Sequence, residues 1–289
     1  MEDLLAGRGC SWTFGPESLT ITPGPGKAPK LLAELGERVV PYTAISDVTL
    51  TRGKRGTVAL RAIPRWGADP VLAAAAGQLK EREDPYLLVL PEDKETLADY
   101  YAQELRSAVT DRGPADRFLL APPPTPRAFK AWDGAAAFDG EIVTFTWFWS
   151  GASSAKYATG DQRYHLTELE GVEWHAPEGA SGSLRLKARG RRTPLDPNKD
   201  PASVVFSLGY GATHQSLPFA AAVLAALPSS GESGTPQADE APRPPETRTA
   251  APHWSEVTEL IARLGELRDN GLLSEEEFQA KKTELLSRL

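Results

Sequence analysis

The stretch ISDVTLTRGKRGTVALRA spans residues 45–62 and has the pattern of a β-hairpin. Apolar and polar residues alternate on both sides of the turn at residues 52–56, as they do in half-buried strands. The two glycines of that turn supply the backbone freedom that a tight connection needs. The hairpin therefore predicts an antiparallel sheet in which Val58, Leu60 and Ala62 face a core.

A second copy of this hairpin lies further along the chain. Gly56–Ala62 (GTVALRA) aligns with Gly182–Ala188 (GSLRLKA). Three further segments share an offset of about 124 residues: Phe14–Glu17 with Phe138–Glu141, Leu19–Ile21 with Val143–Phe145, and Ile45–Val48 with Leu169–Val172. This spacing is far longer than the 20–50 residues of solenoid repeats, so it indicates duplication of a whole domain.

Each copy is expected to end in a helix. Leu97, Tyr101, Leu105 and Val109 recur once per helical turn over residues 94–109, and the apolar run PFAAAVLAAL predicts a helix over residues 218–227. An alanine run favours a further short helix within residues 69–84, which Gly77 weakens. Five to seven strands and a terminal helix in about 100 residues predict a mainly β fold with α, in the form of a small barrel capped by a helix.

This arrangement resembles the pleckstrin-homology-like domains, and the ISDV strand followed by a G-x-x-x-L strand resembles their bacterial members. Two such units plus a short C-terminal domain resemble a two-copy family of unknown function from high-GC bacteria. The resemblance implies two tandem pleckstrin-homology-like small β-barrels, each capped by a C-terminal helix, plus a C-terminal two-helix hairpin.

Composition shifts divide the chain into five segments. The expected segments are a first domain at 1–110, a Pro-rich linker at 111–127, a second domain at 128–228, a disordered linker at 229–253 and a helical hairpin at 254–289. The second linker has no large apolar residue and is rich in Pro, Ser, Glu and Thr. A flexible chain of that length has an r.m.s. span of roughly 25–30 Å, which would let the hairpin reach another subunit.

The last segment carries consistent helix signals. Asn270-Gly271 can end one helix, and Ser274 with Glu277 forms a capping box for the next. Six residues define the apolar faces of the two helices: Leu260, Leu264, Leu267, Phe278, Leu285 and Leu286. Because two such short helices are marginal alone, the hairpin needs a partner surface, either on another protein or on its own chain.

The spacing L..L…G.LS..EF..KK..LL resembles the short C-terminal domain known as SHOCT. The matching residues are Leu260, Leu264, Leu267, Gly271, Leu272, Leu273, Ser274, Glu276, Phe278, Lys281, Lys282, Leu285 and Leu286. The resemblance implies an oligomerisation or targeting tail rather than an active site.

Composition limits the functional classes. The net charge of −7 argues against a nucleic-acid binder, because such proteins usually carry a basic surplus. Cys10 is the single cysteine of the chain, which excludes an intramolecular disulfide and fits a reducing compartment. No apolar run approaches the length of a membrane span, and the N-terminus lacks the features of a signal peptide, so a cytoplasmic location is expected.

Two clusters are candidate binding features. Arg185, Lys187 and Arg189 alternate and should share one strand face, which could bind an anionic partner or simply be solvated. Residues 145–149 (FTWFW) place Phe145, Trp147 and Trp149 on one side of a strand, where they form either core alone or a core with an exposed patch on the other side. A second basic cluster lies at the hairpin turn, at Arg52, Lys54 and Arg55, and residues 151–156 (GASSAK) are expected to form a loop.

No catalytic, cofactor or metal motif stands out. The four histidines are scattered without the spacing of a zinc site, and Gly24–Lys27 lacks the flanking residues of a phosphate loop. We therefore expect no enzyme and no cofactor, but a scaffold or adaptor whose tail binds itself or another protein. The alternative is a peripheral membrane or anionic-ligand binder that uses the basic strand face, against which the negative net charge counts.

Overall fold

The computed structural model describes residues 3–178, 181–190, 195–207 and 209–228. These residues belong to one compact unit. The predicted linker at 229–253 and the predicted hairpin at 254–289 lie outside the described residues.

The first half of the body has seven strands and three helices. They are β1 (Asp3–Ala6), β2 (Cys10–Phe14), β3 (Ser18–Pro23), α1 (Lys30–Leu35), β4 (Arg38–Pro41), β5 (Ile45–Arg52), β6 (Thr57–Pro64), α2 (Pro70–Ala75), β7 (Leu87–Pro91) and α3 (Glu95–Ala108). The expected hairpin at residues 45–62 is the β5–β6 pair, and the structure confirms that Val58, Leu60 and Ala62 are buried.

The second half repeats this order without a counterpart of α2 in its described residues. Its elements are β8 (Arg127–Lys130), β9 (Gly134–Phe138), β10 (Ile142–Trp147), α4 (Ser154–Thr159), β11 (Gln162–His165), β12 (Leu169–Glu178), β13 (Ser181–Ala188), β14 (Ser203–Phe206) and α5 (Thr213–Ala226).

The duplication extends to strand register. β3 begins at Ser18 and β10 at Ile142, 124 residues later. Val48 pairs with Ala62 in the first half, and Val172 pairs with Leu186 in the second, at the same offset. Both hairpins also have an irregularity at the equivalent position, just after the first residue of β5 and of β12. A shift in strand register is a specific local feature, so its repetition at the same position supports a common ancestral domain.

One part of the sequence alignment is wrong by two residues. It pairs Gly56 with Gly182, whereas the strand register pairs Arg61 with Arg185. The alignment followed the glycines, but Gly56 lies in the turn and Gly182 lies within β13. In the strand, a Cβ at position 182 would collide with backbone atoms of β12, which accounts for a glycine there.

Four antiparallel sheets form the body, not closed barrels. The strand orders are β1-β2-β3-β4 and β5-β6-β7 in the first half, and β11-β10-β9-β8 and β12-β13-β14 in the second. The expectation of small barrels is therefore corrected, while the mainly β tandem layout is confirmed. A short 3₁₀ turn at Tyr42–Ala44 separates β4 from β5, so the chain passes from one sheet to the next without a ladder joining them.

Both expected terminal helices are present, with differences at their ends and faces. α3 buries Tyr101 and Leu105 as predicted, but Leu97 is largely exposed. α5 begins at Thr213 rather than at Pro218, so the proline lies inside the helix. Proline is best tolerated at the first helical position, which is where the prediction placed it. Burial of Leu217 and Phe219 on either side of the proline favours the longer helix.

The two halves share an apolar core through α1 and α2. The core cluster of the second half also contains five buried residues of the first half: Leu31, Leu35, Val71, Ala74 and Ala75. α2 packs on α5 and β12, and α1 packs on α5. Asp69 caps α2 by accepting a hydrogen bond from the Val71 N–H, and Pro70 opens the helix. The insertion between β6 and β7 thus fixes the first half against the second.

The segment expected to be a Pro-rich linker packs on the first half. Leu120 is buried in the first core, and the N–H groups of Leu119 and Leu120 donate to the carbonyl of Ala68. Arg65 donates to the carbonyls of Gly113 and Pro114. These contacts tie the connection between the halves to the body.

Candidate functional site

The predicted basic face on β13 is already engaged by carboxylates of the chain. Arg185 lies opposite Glu173 in the β12–β13 ladder and forms an ion pair with Asp200, with 3.1 Å between Nε and Oδ2. Lys187 forms an ion pair of 2.7 Å with Glu173 and lowers the pKa of that carboxyl. Arg189 is exposed. Two of the three candidate anion-binding residues therefore hold the sheet together.

The Arg185–Asp200 pair has a duplicate in the first half. Arg61 lies at the equivalent position of β6 and pairs with Asp84, with 2.7 Å between Nε and Oδ2. Each aspartate also accepts the N–H of the residue two positions on, Tyr86 or Ala202. Burial raises the pKa of Asp84 even though Arg61 opposes this shift. In each half, this arginine–aspartate ion pair fixes the segment that follows β6 or β13 to the three-stranded sheet.

The arginines of the two ion pairs differ in how exposed they are, so the effects of replacing them can be compared. The side chain of Arg185 is 14% exposed, whereas that of Arg61 is 47% exposed. Breaking a buried ion pair costs about 3–5 kcal/mol, and breaking an exposed one costs about 1 kcal/mol or less. We therefore expect Arg185→Met to lower the free energy of unfolding by about 3 kcal/mol and Arg61→Met by about 1 kcal/mol.

Urea unfolding followed by circular dichroism measures both costs. Lys54→Met is the control, because Lys54 is exposed at the hairpin turn. Equal costs for the two arginines, or a larger cost for Arg61, would show that burial does not set the strength of this ion pair.

The three cations of the second predicted basic cluster, at the β5–β6 turn, differ in their surroundings. Arg52 forms a bidentate pair with Glu95 at the start of α3. Lys54 and Arg55 are exposed at the tip, and Arg55 has a φ of 61°. The cluster is therefore one paired arginine and two exposed cations.

The aromatic run is mostly core. Phe145 and Trp147 are buried in the second half, with ring centroids 5.9 Å apart. β10 ends at Trp147, so Trp149 lies beyond the strand and is 51% exposed. The expected core face is thus confirmed for two residues, and Trp149 leaves it because the strand stops first.

A buried lysine lies where the sequence predicts a loop. Ser153 caps α4 by accepting the Lys156 N–H, and this short helix carries Lys156 into the interior. Its Nζ lies 2.5 Å from Asp133 Oδ2, donates to the carbonyl of Ser203 and lies over the ring of Trp147. Burial lowers the pKa of Lys156, and Asp133 opposes that shift. The loop expectation for residues 151–156 is wrong for its last three residues.

A buried cluster in the first half involves Arg38, Asp69 and Tyr86. Arg38 donates to Asp69 and to Tyr86, and the Tyr86 hydroxyl donates to Asp69 at 2.6 Å. Arg38 also donates to the carbonyl of Ala121. The cluster joins β4 to the residues just before α2 and β7 and to the connection between the halves.

Among the described residues, the remaining candidates are a buried thiol and side chains that do not gather into a metal site. Burial raises the pKa of the Cys10 thiol to about 11, so the reactive thiolate is disfavoured at neutral pH. The described residues hold no cluster of three or more histidine, cysteine or acidic side chains placed to bind a metal ion. Nor is any helix of the described part both long and apolar enough to cross a membrane. The six predicted tail residues, Leu260, Leu264, Leu267, Phe278, Leu285 and Leu286, lie outside the described residues.

Comparison with known families assigns both parts of the chain. A family described as a short C-terminal domain matches residues 259–286, in agreement with the predicted SHOCT resemblance. No curated protein matches the chain. A domain of unknown function matches twice, over residues 12–106 and 136–224, which are the two halves of the body. The chain therefore belongs to the DUF4429 family, in a tandem form that is followed by a short C-terminal domain.

Proposed function

We propose that this protein is a non-enzymatic scaffold or adaptor, with a body that serves as a platform and a C-terminal tail that mediates self-association. The observation that carries the proposal is the core shared between α1, α2 and the second half. Because this core is apolar and continuous, the tandem domains form one rigid body rather than two domains that move independently on a linker. The C-terminal tail is then the segment that binds a second copy of the chain.

We also propose that each half is pleckstrin-homology-like. The support is the order of its elements: a four-stranded antiparallel sheet, a three-stranded antiparallel sheet and a C-terminal helix. In the first half, α3 buries Ala98, Tyr101, Ala102 and Leu105 in the core formed with both sheets.

Deleting residues 254–289 tests the role of the tail. We expect the full chain to be an oligomer and the deletion variant to be a monomer, because the apolar residues of the predicted hairpin need a partner surface. Multi-angle light scattering measures both masses. A full chain that is already monomeric, or a deletion variant that keeps the oligomeric mass, would overturn self-association through the tail.

Two triple variants test whether the apolar face of the tail, rather than the tail as a whole, is responsible for self-association. Leu260, Leu264 and Leu267 are replaced by alanine in one variant, and Glu259, Arg263 and Glu266 in the other. We expect the first to dissociate and the second to keep the mass of the full chain. Dissociation of both would mean that general loss of tail structure, rather than the apolar face, explains the deletion.

The alternative proposal is peripheral membrane or anionic-ligand binding through Arg185, Lys187 and Arg189. It has weaker support, because Asp200 and Glu173 already pair with the first two of these cations.

A further inference from the structure

Three exposed aromatic side chains gather at one end of the second half, and we call them the aromatic face: Trp132, Trp149 and Tyr210. They are 38%, 51% and 45% exposed, respectively. The ring centroids of Trp132 and Tyr210 lie 6.2 Å apart. Exposed apolar clusters on soluble proteins mark interaction sites, and tryptophan and tyrosine are enriched among the residues that dominate binding energy.

Backbone hydrogen bonds hold the segments that carry these rings against one another. Three of them run from an N–H group to a carbonyl over 2.9–3.0 Å: Trp132 to Val205, Phe148 to Asp133 and Gly211 to Lys130. A Cβ at Gly151 would also collide with the Trp132 carbonyl oxygen, so the segment that carries Trp149 lies directly against the β8–β9 turn. The aromatic face is therefore built on a fixed frame, and a partner need not order that frame when it binds.

The duplicated half shows that the fold does not require these rings. Arg8 stands where Trp132 stands in the second half, at the offset of 124 residues, and its N–H donates to the carbonyl of Val89 in the same way. Pro25 stands at the position of Trp149. The same frame is thus built with aromatic side chains in one half and without them in the other, which points to a role for the rings outside folding.

The predicted tail has an apolar face that needs a surface of this kind, because its short helices are marginal alone. The length of the chain allows the two to meet. α5 begins three residues after Tyr210, and its 14 residues span about 20 Å. The predicted linker that follows has an r.m.s. span of roughly 25–30 Å, so the tail of one copy can reach the aromatic face of a neighbouring copy.

Charge argues against a second exposed apolar surface, on α3, as the place where the tail binds. Leu97 and Tyr100 are exposed there. Asp93 lies one helical turn before Leu97 and Glu104 one turn after Tyr100, and both carboxylates are exposed. Residues 254–289 carry eight acidic and five basic side chains, so this acidic surface would repel the tail.

The charges beside the aromatic face are of the opposite kind. Two charged side chains occur in the three segments that form it, residues 130–133, 148–151 and 209–212. Asp133 is buried and paired with Lys156. Lys130 is exposed and forms no ion pair within the described part of the chain. The aromatic face therefore presents an uncompensated positive charge, which suits an apolar partner with an acidic surplus.

We propose that the aromatic face binds the apolar face of the C-terminal tail of a second copy of the chain. This inference rests on the proposed self-association and names the surface to which the tail binds. The leucine side chains of the tail cover the three rings, and the acidic residues around them are attracted by Lys130.

Two triple variants of the full chain test this surface. The face variant truncates the three rings: Trp132→Ala, Trp149→Ala and Tyr210→Ala. The control variant truncates exposed apolar side chains elsewhere, two of them on α3: Trp66→Ala, Leu97→Ala and Tyr100→Ala. We expect the face variant to weaken self-association on the order of a hundredfold, and the control by about twofold or less. Multi-angle light scattering over a range of protein concentrations measures both.

Mixing two variants distinguishes direct contact from a general loss of structure. The tail variant, with Leu260, Leu264 and Leu267 replaced by alanine, keeps the aromatic face, whereas the face variant keeps the tail. Each should be monomeric alone. When they are mixed in equal amounts, the intact tail of one should bind the intact face of the other, so we expect a complex with a larger mass than either variant.

The outcomes separate this inference from the proposed function. A full chain that is monomeric overturns both. A full chain that is an oligomer, with a monomeric tail deletion and a face variant that keeps the oligomeric mass, overturns only the aromatic face as the binding surface. Equal dissociation of the face and control variants, or absence of a complex in the mixture, also overturns it. Thermal unfolding shows whether each variant is folded, and Trp149→Ala alone, at the most exposed of the three rings, replaces the triple variant if that one unfolds.

Discussion

Val71→Asp is expected to unfold the second half of the body together with the first. Val71 belongs to the first half by sequence but is fully buried in the core cluster of the second half. A carboxylate there would have no partner in that apolar cluster, at a cost of about 4 kcal/mol or more. Against a total stability of about 5–15 kcal/mol, this change should leave little folded protein at physiological temperature.

Ala73→Asp is the matched control on the same helix. Ala73 is exposed, so an aspartate there stays in water and should change the free energy of unfolding by about 0.5 kcal/mol or less. Chemical unfolding followed by circular dichroism compares the two variants with the parent protein. Unfolding of the parent in two separate transitions, or a Val71→Asp variant as stable as Ala73→Asp, would contradict a core shared between the halves.

The strands could be predicted because their information is local. Val58, Leu60 and Ala62 alternate within a single hairpin, and the duplicated segments repeat that alternation. The role of α2 could not be predicted in the same way. Val71, Ala74 and Ala75 look like any apolar helix face, and nothing in the sequence near them says which half they will contact.

The candidate site could also be predicted only where its signal is local. The alternation correctly places Arg185 and Lys187 in one strand, but Arg189 lies one residue beyond the end of β13. The partners Glu173 and Asp200 come from elsewhere in the chain. Ion pairs between distant segments leave no periodic signal.

The burial of Lys156 could not be predicted from its residue type. Lysine is rarely buried without a partner, and its partner Asp133 precedes it by 23 residues. In the first half the equivalent position of α1 is Leu32, which is also buried. A leucine and a paired lysine therefore fill the same place in the two copies of one fold.

Asp133→Asn should cost about 3–5 kcal/mol, because it leaves the Lys156 ammonium in the interior without its carboxylate. The asparagine can still accept the hydrogen bond that the Val205 N–H gives to Asp133 Oδ1, so the loss is mainly that of the charge. Adding Lys156→Met should restore most of the stability, because an apolar side chain already fills the equivalent place in the first half. Urea unfolding of the parent, both single variants and the double variant completes a thermodynamic cycle.

The pH dependence of the Asp133→Asn variant gives an independent measure of the same pair. Burial lowers the pKa of Lys156 and Asp133 raises it, so removal of Asp133 should lower it further. The folded variant then binds fewer protons than the unfolded chain between its lowered pKa and the ordinary lysine value, and its stability rises with pH across that window. The parent should rise less, and the double variant should lose this lysine's contribution. If Asp133→Asn and the double variant were equally stable at neutral pH and remained so near pH 10, about the ordinary lysine pKa, then Lys156 would be solvated in solution rather than held in the core.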